Sequence, residues 1–481
     1  MPDSYDLIVR GATVVDGTRA PRFQADVAVA GDRIAALGRL PGAKAALELD
    51  ATGKIIAPGF IDAHTHDDRL LLSAPEMAPK ASQGVTTVIA GNCGVSLAPL
   101  VLGGRAAPPP LDLIGDGAWY RFPSFGAYVE ELERSPAATN AALLVGHTSL
   151  RVAAMQRLDR AASAGEIEQM RARVGEALEA GAIGCSTGLY YEPARAAPAE
   201  EVIEVCRPLS ARKALYCTHM RDEGDRVLDS LEESFRIGRA LGVPVVISHH
   251  KVAGVANHGR TRETLPLIDG RMKAQPVGLD CYPYCASSTI LTADRAALAT
   301  RTLVTWSTPH PEFAGMDLDA IAQAMKLPPD QAADRLRPAG AIYFMMDEAD
   351  VQRVLAFEHT MIGSDGLPHD AAPHPRLWGT FPRVLGHYAR GLGLFPLETA
   401  VYKMTGLPAK TFGLAGRGVL RAGAFADLCV FDAGTVDEAA TFARPIQPAK
   451  GIEAVIVNGT PVWRDGKPTG ARPGRVLRRT P

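Results

Sequence analysis

The central part of the chain alternates short β-branched apolar runs with longer segments of helical periodicity. Between the third and fourth runs, for example, Ile167, Met170, Val174 and Leu178 recur every three to four residues, and Gly181 stands where a helix would end. Each apolar run has the length of a buried strand. The predicted strands are 60–66, 85–92, 141–147, 182–187, 214–219, 244–249, 277–282 and 360–365.

The helical pattern returns twice more along the same part of the chain. Val227, Leu231 and Phe235 repeat at helical spacing before Gly242, and residues 347–357 form a helical segment ahead of the last strand. Eight strands that alternate with helices predict an α/β fold, a TIM-type (β/α)8 barrel with parallel strands. The catalytic residues of such a barrel lie at the carboxyl ends of its strands.

Both ends of the chain carry a different pattern, in which short β-branched runs are separated by turn residues. Asp16-Gly17 and Gly31-Asp32 divide the N-terminal runs, and Asn458-Gly459 divides two apolar runs near the other end. We expect the two ends to meet in one small β-sandwich beside the barrel. Residues 287–345 are too long for an ordinary barrel loop and predict an inserted subdomain or lid. The predicted domains are 1–58 and 416–481 for the sandwich, the latter with an extended tail at 468–481, and 59–415 for the barrel.

Composition narrows the class of partner. The chain has 481 residues, is 47% hydrophobic and has a formal net charge of -2, so it lacks the basic surface that nucleic acid or an anionic membrane would need. A small-molecule partner is favoured. Residues 1–6 do not begin a basic and apolar leader, and the seven scattered cysteines contain no C-x-x-C pair; both features predict a cytoplasmic protein. The oligomeric state stays open between a monomer and a small homo-oligomer.

Several predicted strands end in residues that bind metals. His64 and His66 lie two positions apart in the first strand, so their side chains face the same side. Imidazole, thiolate and carboxylate are the ligands that zinc prefers. Each residue alone could be a buried structural side chain, but together they predict a metal site. The other strand ends supply Cys93, His219, His249 and Asp365.

A series of motifs in fixed order makes the resemblance specific. Over nearly its whole length the chain resembles the amidohydrolase superfamily and, within it, the N-acyl-D-amino-acid deacylase (D-aminoacylase) family. The motifs are Gly59-Phe60-Ile61-Asp62-Ala63-His64-Thr65-His66, Gly91-Asn92-Cys93-Gly94, Gly188-Leu189-Tyr190-Tyr191-Glu192-Pro193, Thr218-His219-Met220-Arg221, Ser248-His249-His250-Lys251, Asp280-Cys281-Tyr282-Pro283-Tyr284 and Gly363-Ser364-Asp365-Gly366.

This resemblance implies how the metal site is divided. Cys93, His219 and His249 would hold one zinc ion tightly, and His64 and His66, with Cys93 between, would mark a second site that is weaker or empty. Zinc would activate water and polarise the scissile carbonyl. Asp365 would accept the proton of the water and return it to the departing amine.

The resemblance also implies a substrate with an α-carboxylate, the N-acyl-D-amino acid, whose amide bond is hydrolysed. Preference for the D over the L form comes from the resemblance alone. Arg295 stands where the broad-specificity members of the family continue in apolar residues. We therefore expect the enzyme to prefer a substrate with an acidic side chain, with N-acyl-D-glutamate first and N-acyl-D-aspartate second. Arg295 could instead pair with Asp294 or face solvent. The residues expected to bind the α-carboxylate are Lys251, Tyr282, Ser288 and Arg376.

Three other functions stay open. The first is a broad-specificity D-aminoacylase for apolar D-amino acids. The second is a hydantoinase-like or dihydroorotase-like hydrolase of cyclic amides, although the fourth strand ends in Cys185-Ser186-Thr187-Gly188 and lacks the lysine that many amidohydrolases carboxylate. The third is a non-catalytic barrel that serves as an assembly scaffold, which the intact set of six metal-competent residues disfavours.

Overall fold

A computed structural model describes residues 4–480 of the chain. Residues 1–3 and Pro481 lie outside the described residues. The prediction about the N-terminal residues 1–6 and the outer ends of the predicted sandwich fall partly on them. Within the described part, eight parallel strands form a nearly closed barrel, as predicted. They are Phe60–Asp62, Val85–Ala90, Asn140–Gly146, Gly184–Gly188, Leu215–His219, Val245–Ile247, Val277–Cys281 and Thr360–Ile362, numbered one to eight below.

The barrel closes between its first and last strands. The Ala63 N–H donates to Ile362 O at 3.2 Å, and the Asp365 N–H donates to His64 O at 2.8 Å. Several strands are shorter than predicted, strand one above all, which ends at Asp62 and not at His66. Beyond Asp62 the backbone donors alternate between strands eight and two, since the Thr65 N–H bonds to Ile89 O at 3.0 Å. The regular ladder stops there, and Thr65 forms an isolated bridge with Gly366.

The helices that the periodicity predicts are present. The helix Ala164–Ala180 begins at a Ser163–Glu166 capping box and ends at Gly181, whose φ of 112° suits a residue without Cβ. Other long helices surround the barrel or follow it: Phe125–Arg134, His147–Ala154, Ala199–Cys206, Val227–Leu241, Thr261–Met272, Glu348–Ala356, Arg376–Arg383 (continued by a wider helix over Val384–Gly391), Leu397–Met404 and Gly406–Phe412.

The long segment after strand seven folds into a unit of its own. Its three strands, Ala286–Ile290, Arg301–Ser307 and Ala339–Phe344, form an antiparallel sheet in which the third strand lies between the other two. The short helices Ala293–Ala297, Leu318–Met325 and Pro329–Leu336 connect these strands. Whether this unit moves as a lid stays a prediction, as do the domain boundaries at 58/59 and 415/416.

A second sheet of nine strands joins the two ends of the chain, as expected. Strand Ile55–Pro58 pairs with Leu428–Phe431 and thereby connects N-terminal to C-terminal strands. The Asn458-Gly459 turn joins Ile452–Val457 to Thr460–Arg464, with positive φ at both turn residues. The remaining strands are Tyr5–Val14, Phe23–Ala30, Arg33–Gly38, Ala45–Asp50 and Lys467–Pro468.

Two details of the chain ends differ from the prediction. The first strand of the chain, Tyr5–Val14, precedes the predicted Asp16-Gly17 turn and contains a bulge between Val9 and Ala12. This strand pairs in parallel with Ala45–Asp50, so the sheet is not made of hairpins alone. The predicted tail is docked, since Val476–Leu477 pairs with barrel strand three. Among residues 4–480, every helix is too short or too polar to cross a membrane.

Candidate metal centre and active site

The carboxyl ends of the barrel strands bring the predicted metal ligands together. Cys93 Sγ lies 3.3 Å from His64 Nε2 and 3.3 Å from His249 Nε2. The His219 ring packs edge-on against the His249 ring, with 4.5 Å between centroids. His66 Nε2 lies 3.2 Å from an Asp365 oxygen. All of these side chains are buried in one cluster.

Three of the site residues have a backbone conformation that L-amino acids rarely adopt. Cys93, His249 and Asp365 have φ values of 53°, 36° and 49°. Each closely follows a barrel strand, at the end of the barrel where the cluster lies. Such strained residues persist where surrounding structure holds them, and they concentrate at functional sites.

The predicted ligands divide into overlapping groups. His64, Cys93 and His249 place one ligand atom each within 4.8 Å of one another, and His64, His66 and Asp365 do the same. His219 groups with His249 and with Glu223, a residue that the sequence did not suggest. His249 therefore links the His219 side of the cluster to the Cys93 side, and Cys93 lies between His249 and His64.

The charges in this cluster favour the ionised forms of Cys93 and Asp365. Although burial opposes it, the neighbouring His64 and His249 hold the pKa of Cys93 well below its ordinary value, which favours the thiolate. The pKa of Asp365 is likewise held well below its usual range, against the effect of burial, by the Arg376 cation and the His66 hydrogen bond. Asp365 is therefore ionised.

Unpartnered nitrogens show that these residues fit a bound cation. Neither ring nitrogen of His219 has a hydrogen-bond partner among the described residues, although the ring is buried. Buried polar atoms normally have partners. A set of thiolate, imidazole and carboxylate donors with free nitrogens at its centre matches the coordination preference of zinc.

The four residues expected to bind an α-carboxylate surround the same site. The Arg376 guanidinium lies over the Tyr282 ring, 4.5 Å from its centroid, and its Nη2 donates to Ser288 O at 3.1 Å. Lys251 Nζ lies 5.7 Å from the same ring centroid. The Tyr282 hydroxyl, the Ser288 hydroxyl and Arg376 Nε are buried without partners among the described residues. These donors and the two cations could all serve one carboxylate.

Arg295 lines a cavity of about 670 Å³ beside this cluster. It is 7% exposed, and its guanidinium lies 5.2 Å from the Tyr190 ring centroid and 5.4 Å from that of Tyr343. Its one side-chain hydrogen bond goes to Ser287 Oγ at 3.3 Å, and it forms no ion pair with a carboxylate of residues 4–480. Asp294 is exposed and lines the same cavity. Arg295 thus neither pairs with Asp294 nor faces solvent.

Sequence reasoning missed three charged residues behind the ligands. Glu223 contacts His249 and Lys251 from the loop after strand five. Asp280 Oδ1 lies 3.4 Å from His64 Nδ1 and accepts the His249 N–H at 2.9 Å. Lys80, fully buried, contacts Asp62 beneath strand one. Asp280 begins one of the family motifs, and Glu223 lies two residues after the motif that ends at Arg221. Only the fold shows that both residues face the ligands.

Comparison with known proteins now places the chain. A sequence model of the amidohydrolase family matches residues 47–274 and 323–463. The chain belongs to the amidohydrolase family. This amidohydrolase is 60% identical to D-aminoacylase, 53% identical to N-acyl-D-aspartate deacylase and 48% identical to N-acyl-D-glutamate deacylase, all from Alcaligenes xylosoxydans xylosoxydans. The matches cover 99–100% of the chain and 95–98% of each relative. The predicted resemblance to N-acyl-D-amino-acid deacylases is confirmed.

Solved structures agree with this assignment. The amidohydrolase superposes on D-aminoacylase, a protein with a binuclear metal centre, with a TM-score of 0.96 at 58% identity, over 99% of this chain and 100% of that one. N-acyl-D-glutamate deacylase from Bordetella bronchiseptica, complexed with zinc and a phosphonate inhibitor, gives 0.95 at 47% identity over the same shares. A dihydropyrimidinase from Brevibacillus agri gives 0.60 at 15% identity and shows a shared fold alone.

Proposed function

We propose that the protein is a zinc-dependent deacylase that hydrolyses the amide bond of N-acyl-D-amino acids and releases a carboxylate and a free D-amino acid. The observation that supports it is the cluster at the strand ends, where metal-binding side chains, an ionised Asp365 and two cations face one site. Cys93, His219 and His249 would hold the tightly bound zinc. His64 and His66 would form a subsidiary position that shares Cys93.

Each part of the site has a chemical task. When bound, zinc supplies Lewis-acid activation of water and of the scissile carbonyl. Asp365 takes a proton from the attacking water on its carboxylate and delivers it to the amide nitrogen, because an amine leaves poorly unless it is protonated. Arg376 and Lys251 bind the α-carboxylate through charge-assisted hydrogen bonds, and the Tyr282 and Ser288 hydroxyls complete its coordination.

The experiment is metal analysis of the purified protein combined with an amine-release screen. We expect zinc in the protein and release of amine from N-acetyl-D-amino acids but not from their L forms. Protein that contains no zinc and releases no amine would instead support the scaffold hypothesis. Turnover of hydantoins or dihydropyrimidines, with none of acyl-D-amino acids, would support the cyclic-amide hydrolase. The buried Cys185 on strand four, with no lysine there, argues against the latter.

We also propose that the preferred side chain is acidic, with D-glutamate first and D-aspartate second. Arg295 carries this proposal, because a buried guanidinium without a carboxylate partner, beside the site, is suited to bind one from the substrate. Sequence identity alone does not decide which substrate side chain is preferred. D-aminoacylase, N-acyl-D-aspartate deacylase and N-acyl-D-glutamate deacylase all resemble the chain over nearly its full length.

Replacing Arg295 by leucine tests the preference. We expect kcat/KM for N-acetyl-D-glutamate to fall by at least tenfold while kcat/KM for N-acetyl-D-leucine is unchanged or rises. If the unaltered enzyme already prefers D-leucine, the acidic preference is wrong. The broad-specificity alternative would then hold, and the Tyr190, Leu298 and Met345 walls of the cavity would receive the apolar side chain.

A further inference from the structure

Glu223 occupies a buried position that the proposed chemistry does not use. It lies in the loop after strand five and is 5% exposed. Its backbone carbonyl accepts the Ala253 N–H at 2.7 Å, which fastens this loop to the segment after strand six. That segment carries both His249 and Lys251. Glu223 is therefore held by the backbone beside a metal ligand and a substrate-binding cation.

One oxygen of Glu223 faces both neighbours. Oε1 accepts from Lys251 Nζ at 2.6 Å and lies 3.1 Å from His249 Nδ1. Lys251 Nζ also lies 2.9 Å from His249 Nδ1. The three atoms form a small triangle. Because an ammonium group only donates hydrogen bonds, the lysine and the carboxylate favour different forms of the imidazole.

The proton of His249 decides which ring nitrogen can bind metal. His249 Nε2 is the nitrogen that lies 3.3 Å from Cys93 Sγ, toward the metal ligands. With a proton on Nδ1, donated to Glu223, Nε2 keeps its lone pair and can bind a cation. Without Glu223, the Lys251 ammonium, already 2.9 Å away, would be the partner left to Nδ1. Nδ1 would then accept a hydrogen bond, and the proton would move to Nε2 and block it.

We propose that Glu223 is a positioning residue that keeps His249 in the Nδ1-protonated form, because its carboxylate accepts from both Nδ1 and the neighbouring Lys251 ammonium. The inference rests on the proposed function, since it assigns the tautomer of a zinc ligand and the place of a carboxylate-binding lysine. Glu223 acts through these two residues.

The test measures zinc affinity by chelator competition, beside steady-state kinetics with N-acetyl-D-glutamate. We expect Glu223→Met, which keeps the shape and removes the acceptor, to bind zinc about 10- to 100-fold more weakly. Glu223→Gln should be intermediate, because its amide oxygen still accepts a hydrogen bond. Lys251→Met should raise KM and leave zinc affinity unchanged. The double variant Glu223→Met/Lys251→Met should bind zinc about tenfold more tightly than Glu223→Met, since the competing donor is gone.

A merely structural role gives a different pattern. It would lower the melting temperature of all Glu223 variants, and the double variant would bind zinc no more tightly than Glu223→Met does. That result would overturn the proposal. A Glu223→Met protein with normal zinc affinity would overturn it as well. Glu232→Met is the matched control, because Glu232 pairs with Arg271 on a partly exposed helix surface. If Glu223→Met fails to fold, Glu223→Gln with and without Lys251→Met carries the same comparison. If the unaltered protein binds no zinc, the proposed function fails first and this inference with it.

Discussion

Arg376 and Asp365 form a buried ion pair at the mouth of the barrel, with 3.0 Å between Nη1 and Oδ2. Arg376 is fully buried, and Asp365 is 7% exposed. The other Asp365 oxygen lies 3.2 Å from His66 Nε2, so the carboxylate is held from two sides. This arrangement keeps Asp365 ionised and fixes its direction, which a general base needs.

Replacing Asp365 by asparagine should remove turnover and leave the tightly bound zinc in place. We expect kcat/KM to fall by roughly 10²- to 10⁴-fold, the usual contribution of a general acid–base residue. Zinc should stay, because Cys93, His219 and His249 are unchanged. Activity assays and metal content on the same preparation measure both. The melting temperature must also be measured, because Arg376 loses its ion-pair partner. If the variant folds but has lost its zinc, Asp365 is a zinc ligand.

The two groups of histidines should differ in their effect on metal content. His219→Asn should abolish zinc retention and activity, whereas His64→Asn should leave one zinc ion per chain. The reason is that His64 belongs to the subsidiary position in our assignment. His310→Asn is the control, because His310 pairs with Glu312 and belongs to none of the three ligand groups. Elemental analysis after dialysis gives the count. If His64→Asn strips all of the metal, the ranking of the two positions is wrong.

Much of the site could be predicted because barrel topology places strand ends together. His64, Cys93, His219, His249 and Asp365 each follow an apolar run, and eight such runs imply one ring of side chains. The sequence could not show how the chain turns at those ends. The left-handed backbone at Cys93, His249 and Asp365 has only a weak signature in residue type, since His and Asp adopt it more often than most residues but are far more often found elsewhere.

The residues that sequence reasoning missed are those whose role depends on contacts distant in sequence. Glu223 stands in the charged run Arg221-Asp222-Glu223-Gly224-Asp225-Arg226, where nothing distinguishes the buried member from the exposed ones. Its spacing of four from His219 was the only local signal. Arg295 departs from a family pattern that the sequence shows, but its burial between two tyrosine rings depends on the sheet that residues 286–344 form.

Glu201 should make stability depend on pH in the acid range. It is buried and pairs with Arg151, and its Oε2 accepts the Ala162 N–H at 2.7 Å. Although burial opposes it, His147 together with these partners lowers the pKa of Glu201 to about 2, from an ordinary 4.5. A lowered pKa means that the stabilisation is complete above about pH 4.5 and is lost as the pH falls toward 2.

Replacing Glu201 by alanine measures that contribution. At pH 7 we expect a loss of about 3–5 kcal/mol in unfolding free energy, because Arg151 is left buried without its carboxylate. The difference from the unaltered protein should narrow below pH 4.5. Thermal unfolding at pH 7 and at acid pH compares the two. Glu200→Ala, next in sequence but exposed and paired with Arg236, should change stability by less than about 0.5 kcal/mol. Equal effects of the two substitutions would contradict this account.

Lys80 should support the first metal-binding segment from beneath. Its fully buried Nζ lies 2.8 Å from Asp62 Oδ2, 3.3 Å from Asp67 Oδ2 and 2.8 Å from Ser364 Oγ. Asp62 Oδ1 in turn accepts the N–H groups of Ser364 and His64, at 2.7 and 3.3 Å. The ammonium group therefore neutralises the Asp62 carboxylate. That carboxylate connects strand one to Ser364, the residue that directly precedes Asp365.

Lys80→Met should destabilise the fold by about 3–5 kcal/mol, because it leaves two buried carboxylates without a cation. Adding Asp67→Asn should recover part of this loss, since one of the two charges is removed, and the two substitutions should show a coupling of about 0.5–3 kcal/mol. Thermal unfolding of the single and double variants gives the coupling, with Lys410→Met, at an exposed position, as the control. Strictly additive effects would show that Lys80 and Asp67 do not interact, and Asp62 would then be the sole carboxylate partner of the lysine.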